Sequence, residues 1–189
     1  MLPDWDVWYP NCEPIGHHLR TAFRDRWVRF HSLPESKRYP ESPAEYEEVL
    51  ARHRAILGDL AADSEEVVLL TTGYSETPEP VRSYPQLAEL DPTAVPWRTI
   101  DMQVVEHWDH PFYWHIFASR REWRTGELDQ VVRLVGDEVV SNVLIVAPDC
   151  RWVLHPYDGG MDVIADSTTM RERLRRVHRE WLPARADGL

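Results

Sequence analysis

The chain has 189 residues, 43% hydrophobic and 28% charged, with a net charge of −11. This length suits one domain around one core, and the composition argues against wholesale disorder. The negative balance argues against general affinity for nucleic-acid phosphate, and no apolar run approaches the ~20 residues that cross a bilayer.

The opening Met1-Leu2-Pro3-Asp4-Trp5-Asp6 lacks the basic and apolar regions of a secretory signal, so a cytoplasmic location is expected, with no membrane partner. Trp5, Trp8 and Tyr9 then stand in a segment without periodicity. Aromatics on irregular surface anchor protein contacts, though these three could equally cover an open sheet face. Ile15, Leu19, Phe23 and Trp27 recur at four-residue steps and predict a helix. The stretch 30–40 holds two prolines and predicts a loop. Ser42-Pro43-Ala44-Glu45 is a capping box with proline at the first helical position, opening an amphipathic helix that should end near Ala62. The predicted helical lead-in therefore spans 15–62. Val67 to Thr72 predicts a buried strand.

Five prolines between Thr77 and Trp97 forbid long regular structure, so 77–97 is expected to be a long loop offering a lid or contact surface. Strands should follow over 98–165: Arg98–Val105 and Phe112–Ser119 around a turn at 106–111, Asn142–Ala147, Arg151–His155 and Met161–Ala165, with a short helix at Glu127–Val135. Asp158-Gly159 between Tyr157 and Gly160 is a hairpin signal of the kind whose central residues need positive φ. A closing helix is expected over 168–182, with Met170, Leu174, Val177 and Trp181 inward. The order predicts a single α+β domain: a mainly antiparallel sheet with helices packed on one face.

Three stretches carry a resemblance to a known family. They are Arg29-Phe30-His31-Ser32-Leu33-Pro34-Glu35-Ser36-Lys37-Arg38-Tyr39-Pro40; Ala147-Pro148-Asp149 with Trp152 and Pro156-Tyr157-Asp158-Gly159-Gly160-Met161-Asp162; and Trp181-Leu182 with Asp187-Gly188-Leu189. Together they resemble a family of bacterial domains with no assigned function, over nearly the whole length. The resemblance implies a stand-alone cytoplasmic bacterial protein and supplies no catalytic residues. Twenty arginines against the single Lys37 also fit a GC-rich bacterial source.

Few constellations offer chemistry. His107, Asp109 and His110, with His115 shortly after, form the richest ligand cluster, but zinc needs three or four donors in tetrahedral reach, and the surrounding Trp108, Phe112, Tyr113 and Trp114 suit aromatic packing equally well. Ser32, Lys37 and Arg38 precede a helix N-terminus and could hold an anion; the competing expectation pairs both cations with acids of the neighbouring helix. Asp158, Asp162 and Asp166 are spaced like part of a calcium loop, but apolar Met161, Val163 and Ile164 stand among them, so a plain hairpin is expected. Cys12 and Cys150 form no C-x-x-C pair and read as free thiols; Cys150 with His155 lacks any group to activate the sulfur.

Charge is unevenly spread. Residues 20–38 carry a balance of +4, and residues 41–91 a balance of −9. With no catalytic residues and no cofactor expected, the favoured function is a non-catalytic protein-binding module, an immunity-type or regulatory partner of a basic protein. The alternative is a small enzyme using His107, His110 and His115, with or without a metal.

Overall fold

The computed structural model describes residues 2–184; the Asp187-Gly188-Leu189 stretch lies outside them. Seven strands form one antiparallel sheet: β1 (Trp27–His31), β2 (Glu66–Ser75), β3 (Val95–Asp101), β4 (Tyr113–Glu122), β5 (Leu144–Val146), β6 (Val153–Tyr157) and β7 (Gly160–Ile164). Their order is β1-β7-β6-β5-β2-β4-β3. The helices are α1 (Trp5–Trp8), α2 (Gly16–Ala22), α3 (Pro43–Leu60), α4 (Pro85–Leu90), α5 (Met102–Val105), α6 (Glu127–Gly136) and α7 (Thr168–Val177). The chain is α+β, as the element order implied.

Period-two alternation divides the sheet into two apolar faces. Val67 and Leu69 of β2, Ile145 of β5, Leu154 of β6 and Met161 and Val163 of β7 join one cluster with the inner faces of α3, α4, α6 and α7. Val68, Leu70, Leu144, Val146, Val153 and Ile164 point the other way. The longer helices thus share one side, as expected. The other side is also covered, by Leu2, Trp5, Tyr9, Ile15, Leu19 and Met102 from the N-terminal segment, α2 and α5.

The Ser42 half of the capping box forms, the Glu45 N–H donating to Ser42 Oγ (3.3 Å), while the Glu45 carboxylate accepts from the Glu41 N–H (2.7 Å), one residue before the cap. Several local expectations give way to tertiary structure. The four-residue stripe 15–27 breaks after α2, and Trp27 starts β1; Val28 and Phe30 alternate with Arg29 and His31, a strand pattern that the stripe overran. The start of the expected 30–40 loop is therefore strand, followed by a 3₁₀ turn at Pro34–Ser36. Within 77–97 the prolines leave room for α4, with Pro85 at its start, and for the first residues of β3. The strand expected over 98–105 stops at Asp101, whose carboxylate caps α5 through the Gln103 N–H (2.9 Å). Val177, expected inward on the closing helix, is 55% exposed, because α7 ends there and a 3₁₀ turn follows.

The β6–β7 hairpin forms with Tyr157 opposite Gly160. Neither Asp158 nor Gly159 has the positive φ that the sequence pattern predicted. Glycine is needed here for room: a Cβ on Gly160 would stand 2.2 Å from the Phe30 carbonyl oxygen of β1.

Candidate functional site

Hairpin and register bring the distinctive stretches of the sequence together. β1 pairs with β7, so Arg29 lies opposite Asp162, and His155 of β6 lies opposite Asp162 from the other side. Directly opposed residues share a face, giving a polar row across three strands beneath α2. Asp162 is only 3% exposed. It accepts from Arg29 Nε (2.8 Å), Arg29 Nη2 (3.0 Å) and Trp27 Nε1 (2.9 Å), with Arg20 Nη1 of α2 at 3.8 Å. A buried carboxylate held this way is satisfied only while its partners stay in place.

His155 completes the row. Burial pushes its imidazole down to about 4, so it is neutral near pH 7, and its Nδ1 is buried without a hydrogen-bond partner. Gly16 at the start of α2 sits against the ring: a Cβ there would come 2.2 Å from His155 Cε1. Asn142 fixes that approach, accepting from the Gly16 N–H (3.0 Å) and donating to the Pro14 carbonyl (3.0 Å) and Thr72 Oγ1 (2.8 Å).

A cavity of 380 Å³ opens beside this row, lined among others by His17, Trp114, Glu138, Asn142, His155 and Tyr157. Its origin is local. Pairing of β5 with β6 stops at Ile145 opposite Leu154, and the next position on β6 that would bond toward β5 is Pro156, which has no N–H. The two segments separate there. Two lining residues, Glu138 and Asn142, hold left-handed backbone (φ 56° and 48°), a conformation that clusters at ligand sites.

At the rim of this cavity three donors converge. His17 Nε2 and His18 Nε2, adjacent on α2, lie 2.9 and 2.5 Å from Glu106 Oε1 at the end of α5. The hydrogen bond with His17, then that with His18, holds the Glu106 carboxyl below its ordinary range. Nothing in the sequence reading singled out this trio, although the His-His pair was visible; its acid lies almost ninety residues away.

The expected site residues fall elsewhere. His115 is buried in β4 with Nε2 2.9 Å from Ser75 Oγ and Nδ1 3.2 Å from Thr99 Oγ1, while His107, Asp109 and His110 lie exposed in the α5–β4 connection. Among the described residues, the histidine, cysteine or carboxylate group of three or more that converges to metal-binding distance is His17, His18 and Glu106, so the structure does not bring the 107–115 set together. Ser32, Lys37 and Arg38 do not converge either. Lys37 binds Glu41 (2.9 Å) and Glu45 (2.6 Å), Arg38 pairs with Asp158, and Ser32 is buried with its N–H on the Gly159 carbonyl (3.2 Å). Both thiols are buried and free, Cys12 pushed up to about 11 and Cys150 to about 12, so neither is a ready nucleophile.

Trp5 and Tyr9 are core residues, 1% and 0% exposed, and offer no surface to a partner; this corrects their reading as contact anchors. Trp5 Nε1 donates to the Cys12 carbonyl (3.0 Å), and Trp8 lies at the edge of the same cluster under the Arg26 guanidinium (5.9 Å). They cover the second face of the sheet because the apolar side of β2 and β5 requires it.

A different aromatic group does reach the surface. Where β2 ends and β4 begins, ring centroids run from Tyr84 to Tyr74 (5.4 Å), Tyr74 to Phe112 (5.7 Å) and Phe112 to Trp108 (4.8 Å), with His110 6.0 Å from Trp108. Tyr74 and Trp108 are 41% and 36% exposed. Glu76, Glu79 and Asp109 are exposed in the same two segments.

No helix of the described residues is long and apolar enough to cross a membrane. Neither curated proteins nor solved structures provide a match to this chain. The model of one family, described as a domain of unknown function (DUF3885), matches residues 15–186. That span contains the polar row, the cavity and the aromatic strip, and the chain belongs to this family.

Proposed function

We propose that this chain is a non-catalytic protein-binding module, an immunity-type or regulatory partner of a basic protein, and that the Tyr74–Phe112–Trp108 strip is its contact surface. The observation that carries this reading is the strip itself: part-exposed rings in mutual contact, with exposed acids in the same segments, in a chain of net charge −11. Large aromatics ringed by charge are the usual centre of an interface, and the acids favour encounter with a cationic surface. The reading takes the protein to be bacterial and cytoplasmic, where two buried free thiols stay reduced, and to have no nucleic-acid partner.

The test is affinity capture from native lysate with the parent chain and with the variant Tyr74→Ala/Trp108→Ala. A basic protein recovered in stoichiometric amount by the parent, lost with the variant and weakened by moderate salt, is the expected result. Equal recovery by both chains, or no stoichiometric partner at either salt, sinks the proposal.

A further inference from the structure

We infer that His17, His18 and Glu106 form a three-ligand site for a divalent transition metal of the zinc class, with its open coordination position at the rim of the 380 Å³ cavity. Two imidazole nitrogens and one carboxylate oxygen all lie within 4.8 Å of one another. Each Nε2 now contacts the same oxygen, Glu106 Oε1. For both rings to donate to that oxygen, both must carry hydrogen on Nε2; with each ring as its neutral Nδ1–H tautomer instead, three lone pairs are aimed at one point. Two histidines and one glutamate are the donor set of open zinc sites, in which the fourth position takes water or a ligand.

The required adjustment is small. Zinc arms of about 2.0–2.1 Å place tetrahedral donor atoms roughly 3.3 Å apart. The two separations from Glu106 Oε1 are 2.9 and 2.5 Å, so each must lengthen by less than an ångström, and the two imidazole nitrogens already lie within 4.8 Å of each other. His17 has the freedom for this, its side chain being 54% exposed. The backbone behind it does not move freely, because Asn142 grips Gly16 and Pro14 and the His155 ring abuts Gly16.

His17 also lines the cavity, with Asn142, His155 and Tyr157 in its other walls. The open position takes water or a neutral oxygen or nitrogen donor, since Glu138 and Asp158 also line the cavity and both Asn142 N–H groups are already bonded. This inference is independent of the aromatic strip and of the protein partner proposed for it.

Tag-free protein, stripped with chelator, is titrated with Co²⁺ and then challenged with Zn²⁺. The expected result is one equivalent of Co²⁺ with the visible absorption of a four- or five-coordinate site, displaced by Zn²⁺. His18→Ala and Glu106→Gln should weaken binding by more than the roughly 10–100-fold typical of supporting residues. His110→Ala should bind like the parent. His17→Gln, which keeps an amide for Glu106 and spares the fold, should lose the band while its urea unfolding curve matches the parent. The inference is overturned if the parent gives no such band, or if His18→Ala, Glu106→Gln and His17→Gln all bind Co²⁺ as the parent does.

Discussion

The polar row beneath α2 and the aromatic strip at the end of β2 are built from similar residue types placed in opposite environments. In the row, Asp162 and Trp27 are buried and the Asp162 carboxylate is bonded internally by Arg29 and Trp27, with His155 between it and the cavity. In the strip, Tyr74 and Trp108 keep more than a third of their surface in water. Enclosure makes a group costly to remove but leaves it nothing to offer a partner. Exposure does the reverse. The lesson is that burial, and not residue type alone, separates the scaffold of this chain from the surface we propose for contact.

That contrast breaks most readily at Asp162. Asp162→Ala leaves the Arg29 guanidinium and Trp27 N–H enclosed without their acceptor, and should cost about 3–5 kcal/mol in urea unfolding. A loss below about 1 kcal/mol would mean that water reaches the row and that it is no scaffold.

Histidine protonation sharpens the contrast with nearly as large an effect. Burial pushes His155 of the row and His53 of α3 down from an ordinary 6.5 to about 4. The unfolded chain then takes up protons first, so stability is intact above pH 6.5 and falls as pH drops toward 4. Each histidine accounts for about 3 kcal/mol at the low end. The stability difference between parent and His53→Gln, or parent and His155→Gln, should therefore change across this window and be constant above pH 7. A difference flat from pH 7 to 4 would contradict the enclosure of these rings.

Gly16→Ala drives a methyl into the His155 ring and should cost roughly 1–3 kcal/mol. Most of that cost should vanish in the His155→Ala background; simple additivity would mean that the close approach is not maintained in solution. The smallest effect belongs to the strip. Tyr74→Ala and Trp108→Ala should each change stability by less than about 1 kcal/mol while abolishing partner capture. Loss of several kcal/mol would place these rings with the scaffold.

Legibility in the sequence followed the range of the interactions. α3 was readable to the residue at its start and to within two residues at its end, because its cap, its proline and its apolar face all lie within one local stretch. The β6–β7 hairpin was readable too, and with it the pairing of His155 to Asp162, since a two-residue turn fixes register. What hid the rest of the row was β1: a four-residue apolar stripe ran from α2 into Trp27 and masked the alternation that sets Arg29 against Asp162. The 107–115 histidines drew attention because they are dense in sequence, yet His115 points into the core and its neighbours into solvent. His17 and His18 were visible as a pair, but Glu106 was one of many acids until α2 and α5 met on the same face.

By itself the sequence determined the class of fold, the capped helix, the hairpin and the acidity, because each follows from short-range periodicity, turn chemistry or simple counting. Tertiary structure alone decided which aromatics are core and which are surface, and which histidines share an acid. Those outcomes depend on contacts between segments that are distant in sequence, about ninety residues for the shared acid, where the hydrophobic closure of both sheet faces, not any local preference, selects what is enclosed.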